Sequence, residues 1–393
     1  MNEAGFGVEN LPYGVARLPG GRVVCVTALD GGVVDLAGLA EGGAFDRVPG
    51  LAPGALARPS LNRFLAGGRR AWSGVRAVVA EMADAGDERV TAATVPMGSV
   101  ELLLPVAVGD FVDFTASRHH AVNMAALLRP GSPPPGPEWD RFPRGYHSRA
   151  GAVVVSGTPV RRPWGPRAGG AGTGPTRALD FEAEIGFVVG APNREGRPVP
   201  ATFEALADHV AGVVVLNDWS ARDVQSVESH PLGPLLSKSF ATSMSPWVVT
   251  LDALEPWRLP GGGYRLELYV ALEAAGGGGR VTVSRPRFDD LHWTMAELLA
   301  HATLNGSAVR TGDLFGCGTT SGPSPGALGC LAELTGAGAR PLVLPGGSTR
   351  AWLEDGDTVT IGASAGGDGR PVVSLGAVTG TVLAALPSVR TEA

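Results

Sequence analysis

VVVLNDWSARDVQSVESHPLGPLLSKSFATSMSPWVV, the segment from Val213 to Val249, decides the fold and locates the chemistry of this chain. Its apolar, β-branched beginning, Val213 to Leu216, predicts a buried strand. Asp218 falls just past that strand, where a rigid sheet can hold a carboxylate toward a ligand. A second apolar strand is predicted from Met244 to Val249. The segment therefore predicts two strands with polar residues at their ends.

Between these two strands the sequence predicts a short helix. Ser220 is a suitable N-cap residue, and Arg222 and Gln225 lie three positions apart, which places them on one helical face. His230-Pro231 is expected to end the helix. Lys238 follows in a Ser- and Thr-rich stretch. An acid, a guanidinium, an amide and an ammonium group thus converge in one segment.

Four words of this segment, NDWSARD, PLGP, KSF and SPWVV, stand in a fixed order. Together they closely resemble the central motif of the fumarylacetoacetase family, in its full-length, two-domain form. Several rare residues in a fixed order are far more specific than one short glycine motif. The resemblance covers nearly the whole chain, and it implies a hydrolase that splits fumarylacetoacetate into fumarate and acetoacetate in the last step of tyrosine breakdown.

Composition favours a large, mainly β protein. The 393 residues are 44% hydrophobic and only 18% charged, and 58 Gly with 32 Pro favour many short strands over long helices. This length suffices for two domains or one large one. The net charge of −6 provides no basic surface for nucleic acid.

Cysteine usage and hydropathy indicate a cytoplasmic protein. Cys25, Cys317 and Cys330 are too few and too scattered for a disulfide framework or a zinc site, and a reducing cytoplasm is the simplest interpretation. The first residues, MNEAGFGVENLPYG, show no pattern of a signal peptide. Since no apolar run reaches about 18 residues, no membrane span is expected.

The resemblance implies a small SH3-like barrel over residues 1–105, followed by a larger β-roll or sandwich over residues 106–393, assembled as a homodimer. In the first part, two strands are predicted around the turn residues Asp30-Gly31-Gly32, and a helical stretch from Leu61 to Met82 with a break at Gly67-Gly68. The words NLPYG, PSLNRF and AW resemble the family there. No chemistry is expected from this part.

Residues 113–129, DFTASRHHAVNMAALLR, predict a helix with Ser117 as its N-cap. His119 and His120 are adjacent, so one of them must point away from any site, and the pattern alone does not choose between them. The resemblance selects His120 as the general base.

The same segment holds two further residues to which the resemblance gives roles. Asp113 is implied to be a metal ligand, and Arg129 a substrate contact. Arg129 lies so far beyond His120 that both face one site only if the helix bends or ends. Tyr146, after a proline-rich linker, matches a substrate-binding tyrosine of the family.

Residues 179–189, LDFEAEIGFVV, show a period of two, with acidic residues at alternate positions in the first half, which predicts a strand with Asp180, Glu182 and Glu184 on one face. A solvated outer face would explain this pattern. Yet acidic residues are depleted in strands, and neighbouring like charges repel unless a cation compensates them.

The resemblance places four carboxylates around one divalent ion: Asp113, Glu182, Glu184 and Asp218. An all-oxygen set suits Mg²⁺ or Ca²⁺ and not zinc. Lys238 beside Asp218 would help to balance the negative charge. Lys238 and Thr242 also match family positions beside a possible second metal site.

The C-terminal third supplies the remaining parts. WTMAELLAHATL, residues 293–304, predicts an amphipathic helix that buries Leu298, Leu299 and Leu304. The following segment, GDLFGCGTTSGP, resembles another family motif, in which Thr319 is implied to contact substrate. Glu333, in the apolar run LAEL, is expected on a strand and matches the glutamate that orients the catalytic histidine.

These residues together imply metal-dependent hydrolysis of a carbon–carbon bond in a β-diketo acid. His120, paired with Glu333, would activate water, and Arg222, Gln225 and Lys238 would stabilise the oxyanion. A decarboxylase or tautomerase on the same fold would need no activated water. A non-catalytic binding protein on this fold would have lost some of these groups.

Two positions depart from the family pattern. Thr115 and Ser229 stand where the family usually has tyrosines that lie against the substrate. The loss of two phenol groups predicts a wider pocket and a bulkier or differently substituted β-diketo acid. Alternatively, neighbouring side chains refill the space and fumarylacetoacetate remains the substrate.

Overall fold

The structure, a computed structural model, describes residues 5–128, 131, 133–168, 172–194, 196–367 and 369–387. Arg129 lies outside the described residues. Within them, no helix is long and apolar enough to cross a membrane.

The N-terminal part is a five-stranded antiparallel sheet of order β4-β3-β2-β1-β5 with four helices. Its elements are β1 (Tyr13–Arg17), β2 (Val23–Leu29), β3 (Gly32–Asp35), α1 (Leu36–Glu41), α2 (Asn62–Leu65), α3 (Arg69–Asp84), α4 (Glu88–Ala93), β4 (Thr94–Pro96) and β5 (Glu101–Leu103). Asp30 and Gly31 join β2 to β3, both with positive φ, as a tight hairpin requires. The predicted hairpin and the interrupted helix are confirmed.

The larger part has nineteen strands among the described residues: β6 (Phe111–Phe114), β7 (Gly145–His147), β8 (Val153–Val155), β9 (Val160–Arg161), β10 (Trp164–Pro166), β11 (Thr173–Pro175), β12 (Leu179–Asp180), β13 (Ala183–Val189), β14 (Val210–Asp218), β15 (Ser220–Ala221), β16 (Thr242–Met244), β17 (Val249–Thr250), β18 (Glu267–Glu273), β19 (Val281–Ser284), β20 (Leu314–Gly316), β21 (Leu342–Val343), β22 (Thr349–Arg350), β23 (Thr358–Gly367) and β24 (Arg370–Leu383). Its helices are α5 (Arg118–Leu128), α6 (Phe203–His209), α7 (Arg222–Glu228), α8 (Leu251–Leu254), α9 (Met295–Thr303) and α10 (Leu331–Thr335). The prediction of a mainly β chain is confirmed.

A central sheet positions the polar residues. Its order is β7-β6-β20-β13-β14-β16-β8, with β17 also paired to β14, and only β6–β20 and β16–β8 are parallel. A second sheet, β19-β18-β23-β24-β9, packs against one face of the central sheet, and the N-terminal part packs against the other.

Every residue of β14 is buried because both faces of the central sheet are covered. Val213 and Val215 face the core shared with the second sheet, while Val214 and Leu216 face the core shared with the N-terminal part. This explains why the strand is a continuous apolar run. The boundary after residue 105 stays a prediction, although β5 ends at Leu103.

Four local predictions are wrong. The single strand predicted from Met244 to Val249 is not formed, since β16 ends at Met244 and β17 begins at Val249. Leu304 is 68% exposed, because α9 ends at Thr303 and the next residue turns outward. Glu333 lies on α10 and not on a strand, since a short apolar run does not distinguish the two. Ser220 belongs to β15 and its hydroxyl donates to the carbonyl of Asp218, so α7 has no side-chain cap.

Candidate active site

Neighbouring strands of the central sheet bring the predicted carboxylates together. β6 carries Asp113, β13 carries Glu184, and β14 ends at Asp218. Glu182 immediately precedes β13. All four carboxylates are buried, and one oxygen of each lies within 4.8 Å of one oxygen of every other. The predicted alternation holds, but the acidic face is buried, so a solvated outer face is excluded.

A glycine between two of these strands makes the cluster possible. In the sheet register Gly316 of β20 lies opposite Asp113 on one side and Gly186 on the other. A Cβ on Gly316 would lie 2.5 Å from Asp113 Oδ1 and 3.0 Å from Glu184 Oε2. The absence of a side chain therefore lets the two carboxylates approach each other.

The cluster is short of positive charge and of hydrogen-bond donors. Both oxygens of Glu184 and Oδ1 of Asp113 are buried without a hydrogen-bond partner among the described residues. Burial and the neighbouring carboxylates raise the pKa of Asp113 to about 8 and that of Glu184 well above its usual value. Unpaired buried carboxylates are costly, so the donor set fits a hard divalent cation.

Two cations compensate the other half of the cluster. Lys238 Nζ donates to Glu182 and, at 2.8 Å, to Asp218, and Arg222 pairs with Glu182 at 2.7 Å. Burial opposes ionisation of Glu182, but Lys238 and Arg222 outweigh it and lower its pKa. Thr242 donates its hydroxyl to Asp218 at 2.7 Å. Lys238 and Thr242 thus contact carboxylates of the cluster directly.

Arg222 is held on several sides. Its Nε donates to Asp180 at 2.7 Å and a terminal nitrogen donates to Gln225 Oε1 at 3.0 Å. The predicted shared helical face of Arg222 and Gln225 is therefore observed. Because Gln225 accepts through its oxygen, its amide nitrogen is left to donate elsewhere.

His120 and Glu333 form a buried pair. His120 Nδ1 lies 2.8 Å from Glu333 Oε2, and Ser117 caps α5 by accepting from the backbone N–H of His120. His119 is exposed, so of the two adjacent histidines His120 is the one that lies in the buried site. A proton on Nδ1, donated to Glu333, leaves Nε2 as an acceptor.

Glu333 is satisfied on both oxygens. Asn123 donates to Oε1 at 2.8 Å, Ser321 donates to Oε2 at 2.7 Å, and Cys330 Sγ lies 3.2 Å from Oε2. Burial raises the pKa of this carboxyl, but the His120 ring and these donors outweigh burial and lower it to about 2. Glu333 is therefore ionised at neutral pH.

The predicted substrate contacts are placed around this site to different degrees. Tyr146 donates to Asp113 at 2.7 Å, so it lies at the carboxylate cluster. Thr319 is buried just beyond β20. Thr115 is half-buried after β6. The Ser229 hydroxyl, at the end of α7, is buried without a hydrogen-bond partner in the described part of the chain.

Sequence reasoning missed Asn123, Ser321 and Gly316. Asn123 stands one helical turn after His120, a spacing that indicates a shared face. Ser321 belongs to the motif GTTSGP, and Gly316 precedes it. Their contacts depend on strands far apart in sequence.

Comparisons with known proteins decide the family. The sequence model for the fumarylacetoacetate (FAA) hydrolase C-terminal domain matches residues 111–383, and that for the fumarylacetoacetase N-terminal domain matches residues 9–105. The chain belongs to the fumarylacetoacetase family. It is 38% identical to the fumarylacetoacetase of Arabidopsis thaliana and 35% identical to that of Homo sapiens, in each case over 98% of this chain and 97% of the relative. The chain is thus an enzyme, a hydrolase of carbon–carbon bonds.

Solved structures agree on the fold. The fumarylacetoacetate hydrolase of Exiguobacterium antarcticum aligns with a TM-score of 0.53 at 16% identity, over 95% of this chain and 99% of that one. The maleylpyruvate hydrolase of Sphingobium sp. SYK-6 aligns with a TM-score of 0.52 at 16% identity, over 94% and 99%. At such identities the likeness concerns the fold alone.

Proposed function

We propose that this protein hydrolyses fumarylacetoacetate, or a closely related β-diketo acid, to fumarate and acetoacetate or their counterparts. The observation that carries the proposal is the His120–Glu333 pair at 2.8 Å, in the same site as four clustered carboxylates. The pair is arranged to activate water, and the cluster would hold a cation able to polarise a diketone. Full-length fumarylacetoacetases are the relatives.

His120 is the general base of this proposal. Its Nδ1–H is fixed on the anionic Glu333, so Nε2 takes a proton from water, and Glu333 stabilises the imidazolium that forms. The resulting hydroxide attacks the substrate carbonyl carbon.

Lys238 and Gln225 are the proposed donors to the oxyanion. Lys238 uses two of its three N–H groups on Glu182 and Asp218, which leaves one. Gln225 presents its amide nitrogen because Arg222 holds its oxygen. Arg222 itself is mostly engaged, so we propose that it orients Gln225 and Glu182 rather than serving as the main donor.

Asp113, Glu182, Glu184 and Asp218 would hold Mg²⁺ or Ca²⁺, with Lys238 and Thr242 at the edge of the site. When bound, such a cation polarises the diketone and spreads charge on the departing enolate. Collapse of the oxyanion breaks the carbon–carbon bond, and its electron pair leaves with the enolate. His120 Nε2–H then returns the proton to that carbon, so one water is consumed.

Decarboxylation or tautomerisation is not favoured. Neither reaction needs an activated water, whereas the His120–Glu333 pair is built to activate one. The full-length relatives are fumarylacetoacetases and not decarboxylases.

Thr115 and Ser229 bear on specificity. Both lack the phenol of the family pattern, and the Ser229 hydroxyl, which has no hydrogen-bond partner among the described residues, lies one turn beyond Gln225. The Thr115→Tyr, Ser229→Tyr double variant tests whether this space is used. If the unmodified enzyme prefers bulkier diketo acids, the double variant should shift kcat/KM toward fumarylacetoacetate. If fumarylacetoacetate is already turned over at about 10⁴ M⁻¹s⁻¹ or faster and the double variant gains nothing, divergence is refuted.

The test of the function is a cleavage assay. Purified protein, freed of metal by a chelator and then supplied with Mg²⁺ or Ca²⁺, is incubated with fumarylacetoacetate and a panel of acylpyruvates, and both acids are quantified. We expect cleavage only with metal. Turnover that is indifferent to chelation, or release of CO₂ instead of two acids, would contradict the proposal.

The remaining expectations concern the setting of the enzyme. We propose a homodimeric, cytoplasmic enzyme of tyrosine breakdown. The three cysteines are buried and free, as suits a reducing compartment. Val227, Leu232, Leu235 and Leu236 are exposed around the end of α7 and supply apolar surface for a second copy. Molar mass from light scattering tests the dimer.

A further inference from the structure

Asp180 is a buried carboxylate to which neither the sequence motifs nor the mechanism above assigns a task. It ends β12 and is fully buried. The four carboxylates of the proposed cation site do not include it. Its contacts nevertheless reach both halves of the site.

One side of Asp180 holds α10, the helix that carries Glu333. Oδ1 accepts from the backbone N–H of Leu331 at 2.7 Å, and Oδ2 accepts from that of Ala332 at 3.2 Å. These are the first two residues of α10, whose own N-cap residue, Cys330, makes no side-chain cap. Asp180, at the end of β12, therefore accepts the N-terminal N–H groups of α10 in place of a cap by Cys330.

The other side of Asp180 holds Arg222. Oδ2 accepts from Arg222 Nε at 2.7 Å, and both side chains are buried. The same guanidinium pairs with Glu182 and donates to Gln225. One carboxylate thus fixes α10 relative to the group that orients a cation ligand and a proposed oxyanion donor.

We propose that Asp180 is a positioning residue that sets the placement of Glu333 and Arg222 together, and so aligns the water-activating pair with the cation site. This inference rests on the proposed function for its kinetic consequences, but its effect on cation binding does not require turnover. A misplacement of about 1 Å in such a site is sufficient to cost on the order of 10²-fold in rate.

The chain contains a matched control. Asp357 is also fully buried, accepts from Arg350 Nε at 2.7 Å, and accepts from two backbone N–H groups, those of Ala275 and Glu354. Within the described part of the chain, the side-chain hydrogen bonds of Asp357 reach Ala275, Glu354 and Arg350, and none of them reaches the carboxylate cluster or α10. Asp357→Asn therefore removes the same kind of buried charge without removing a contact to the site.

Asp180→Asn and Asp357→Asn are compared with the wild type for Tm, kcat, KM and Mg²⁺ affinity. An asparagine at 180 has one acceptor oxygen in place of two, so it cannot accept from Leu331 and from Arg222 through separate oxygens as Asp180 does. If its oxygen stays on Arg222, its amide nitrogen faces the Leu331 N–H and the shorter bond to α10 is lost. We expect kcat of Asp180→Asn to fall about 10- to 100-fold with KM changed by less than about twofold. Its Mg²⁺ affinity should fall at least about threefold, because Arg222 keeps an uncompensated charge beside Glu182. Asp357→Asn should have a lower Tm than the wild type, with kcat and Mg²⁺ affinity unchanged.

A double-mutant cycle with Glu333→Gln separates positioning from general destabilisation. If Asp180 acts partly through Glu333, the loss caused by Asp180→Asn shrinks at least about threefold in the Glu333→Gln background. Strict additivity, or equal losses in Asp180→Asn and Asp357→Asn, would overturn the inference.

Two further outcomes are decisive. If Asp180→Asn does not fold, Asp180→Glu replaces it in the test, because this variant keeps the negative charge while displacing α10. Its Mg²⁺ affinity should match that of the wild type, and its kcat should fall. A wild-type kcat in Asp180→Glu would overturn the inference. If the wild type cleaves no diketo acid, the proposed function fails, and the Mg²⁺ titration of the two asparagine variants alone decides the role of Asp180.

Discussion

Glu184 and Glu333 are both buried carboxylates of one site, yet their surroundings are opposite. Glu184 has no hydrogen-bond partner on either oxygen among the described residues, and its pKa lies well above the usual value. Glu333 is contacted by His120, Asn123, Ser321 and Cys330, and its pKa is about 2. Among the described residues, Glu184 thus lacks hydrogen-bond partners, whereas both oxygens of Glu333 are hydrogen-bonded.

The difference shows how one site can support two kinds of chemistry. A buried carboxylate without hydrogen-bond partners is tolerated where a ligand can pair with it, which fits the cation site proposed at Glu184. A fully hydrogen-bonded carboxylate holds its charge and fixes its neighbour, which fits the proposed role of Glu333 in orienting a general base. Changes to either half should therefore have separable effects.

The largest expected effect is on the rate. His120→Ala removes the proposed base and should lower kcat at least about 10²-fold, while leaving the Mg²⁺-induced rise in Tm intact. Alanine favours the helix, although the buried ring loses its packing. His119→Ala, at the exposed neighbour, is the matched control and should keep full activity. Retention of more than about a tenth of kcat in His120→Ala would refute the general-base role.

The next effect is on stability in acid and concerns Glu333, the fully hydrogen-bonded carboxylate. The folded pKa of Glu333, about 2, is below the unfolded value, so its stabilisation is present at neutral pH and is lost as the pH falls below about 4.5 toward 2. The wild type should be more stable than Glu333→Gln at pH 6, and this difference in the free energy of unfolding should shrink by about 2 kcal/mol when the pH is lowered to 3. Urea titrations of both proteins at the two pH values measure the difference. A difference that does not vary with pH would contradict the assigned pKa.

A smaller effect is expected at the glycine between the strands. Gly316→Ala places a methyl group against Asp113 and Glu184 and should weaken Mg²⁺ binding at least about tenfold. Gly186→Ala is the control, since its Cβ would meet Leu216 and the carbonyl of Phe315 instead. Equal Mg²⁺ affinities in the two variants would show that Asp113 and Glu184 can move apart without weakening Mg²⁺ binding.

Much of this arrangement is predictable from the sequence. The strand 213–216 follows from its apolar run, and the acidic face of residues 179–189 follows from its alternation. The choice of His120 over His119 required the resemblance. Local patterns sufficed wherever one strand or one helix carried the signal.

The remaining features depend on contacts between distant segments. The run LAEL predicts a strand where α10 forms, because the five residues of α10 are too few to show a helical period. Asp180 was one acid of an alternating strand until the register placed it beside α10 and Arg222. The role of Gly316 depends on its position opposite Asp113 in the neighbouring strand. Sequence periodicity does not encode such register.

The most direct test of the contrast is the number of protons released when Mg²⁺ binds at pH 7, measured by calorimetry in two buffers of different ionisation enthalpy. Because the pKa of Asp113 is about 8 and that of Glu184 is also raised, the metal-free cluster holds protons at this pH that a cation must displace. We predict release of about one proton or more in the wild type and in Glu333→Gln, and fewer with weaker binding in Glu184→Gln. Binding without proton release, or equal behaviour of Glu184→Gln and the wild type, would contradict the account.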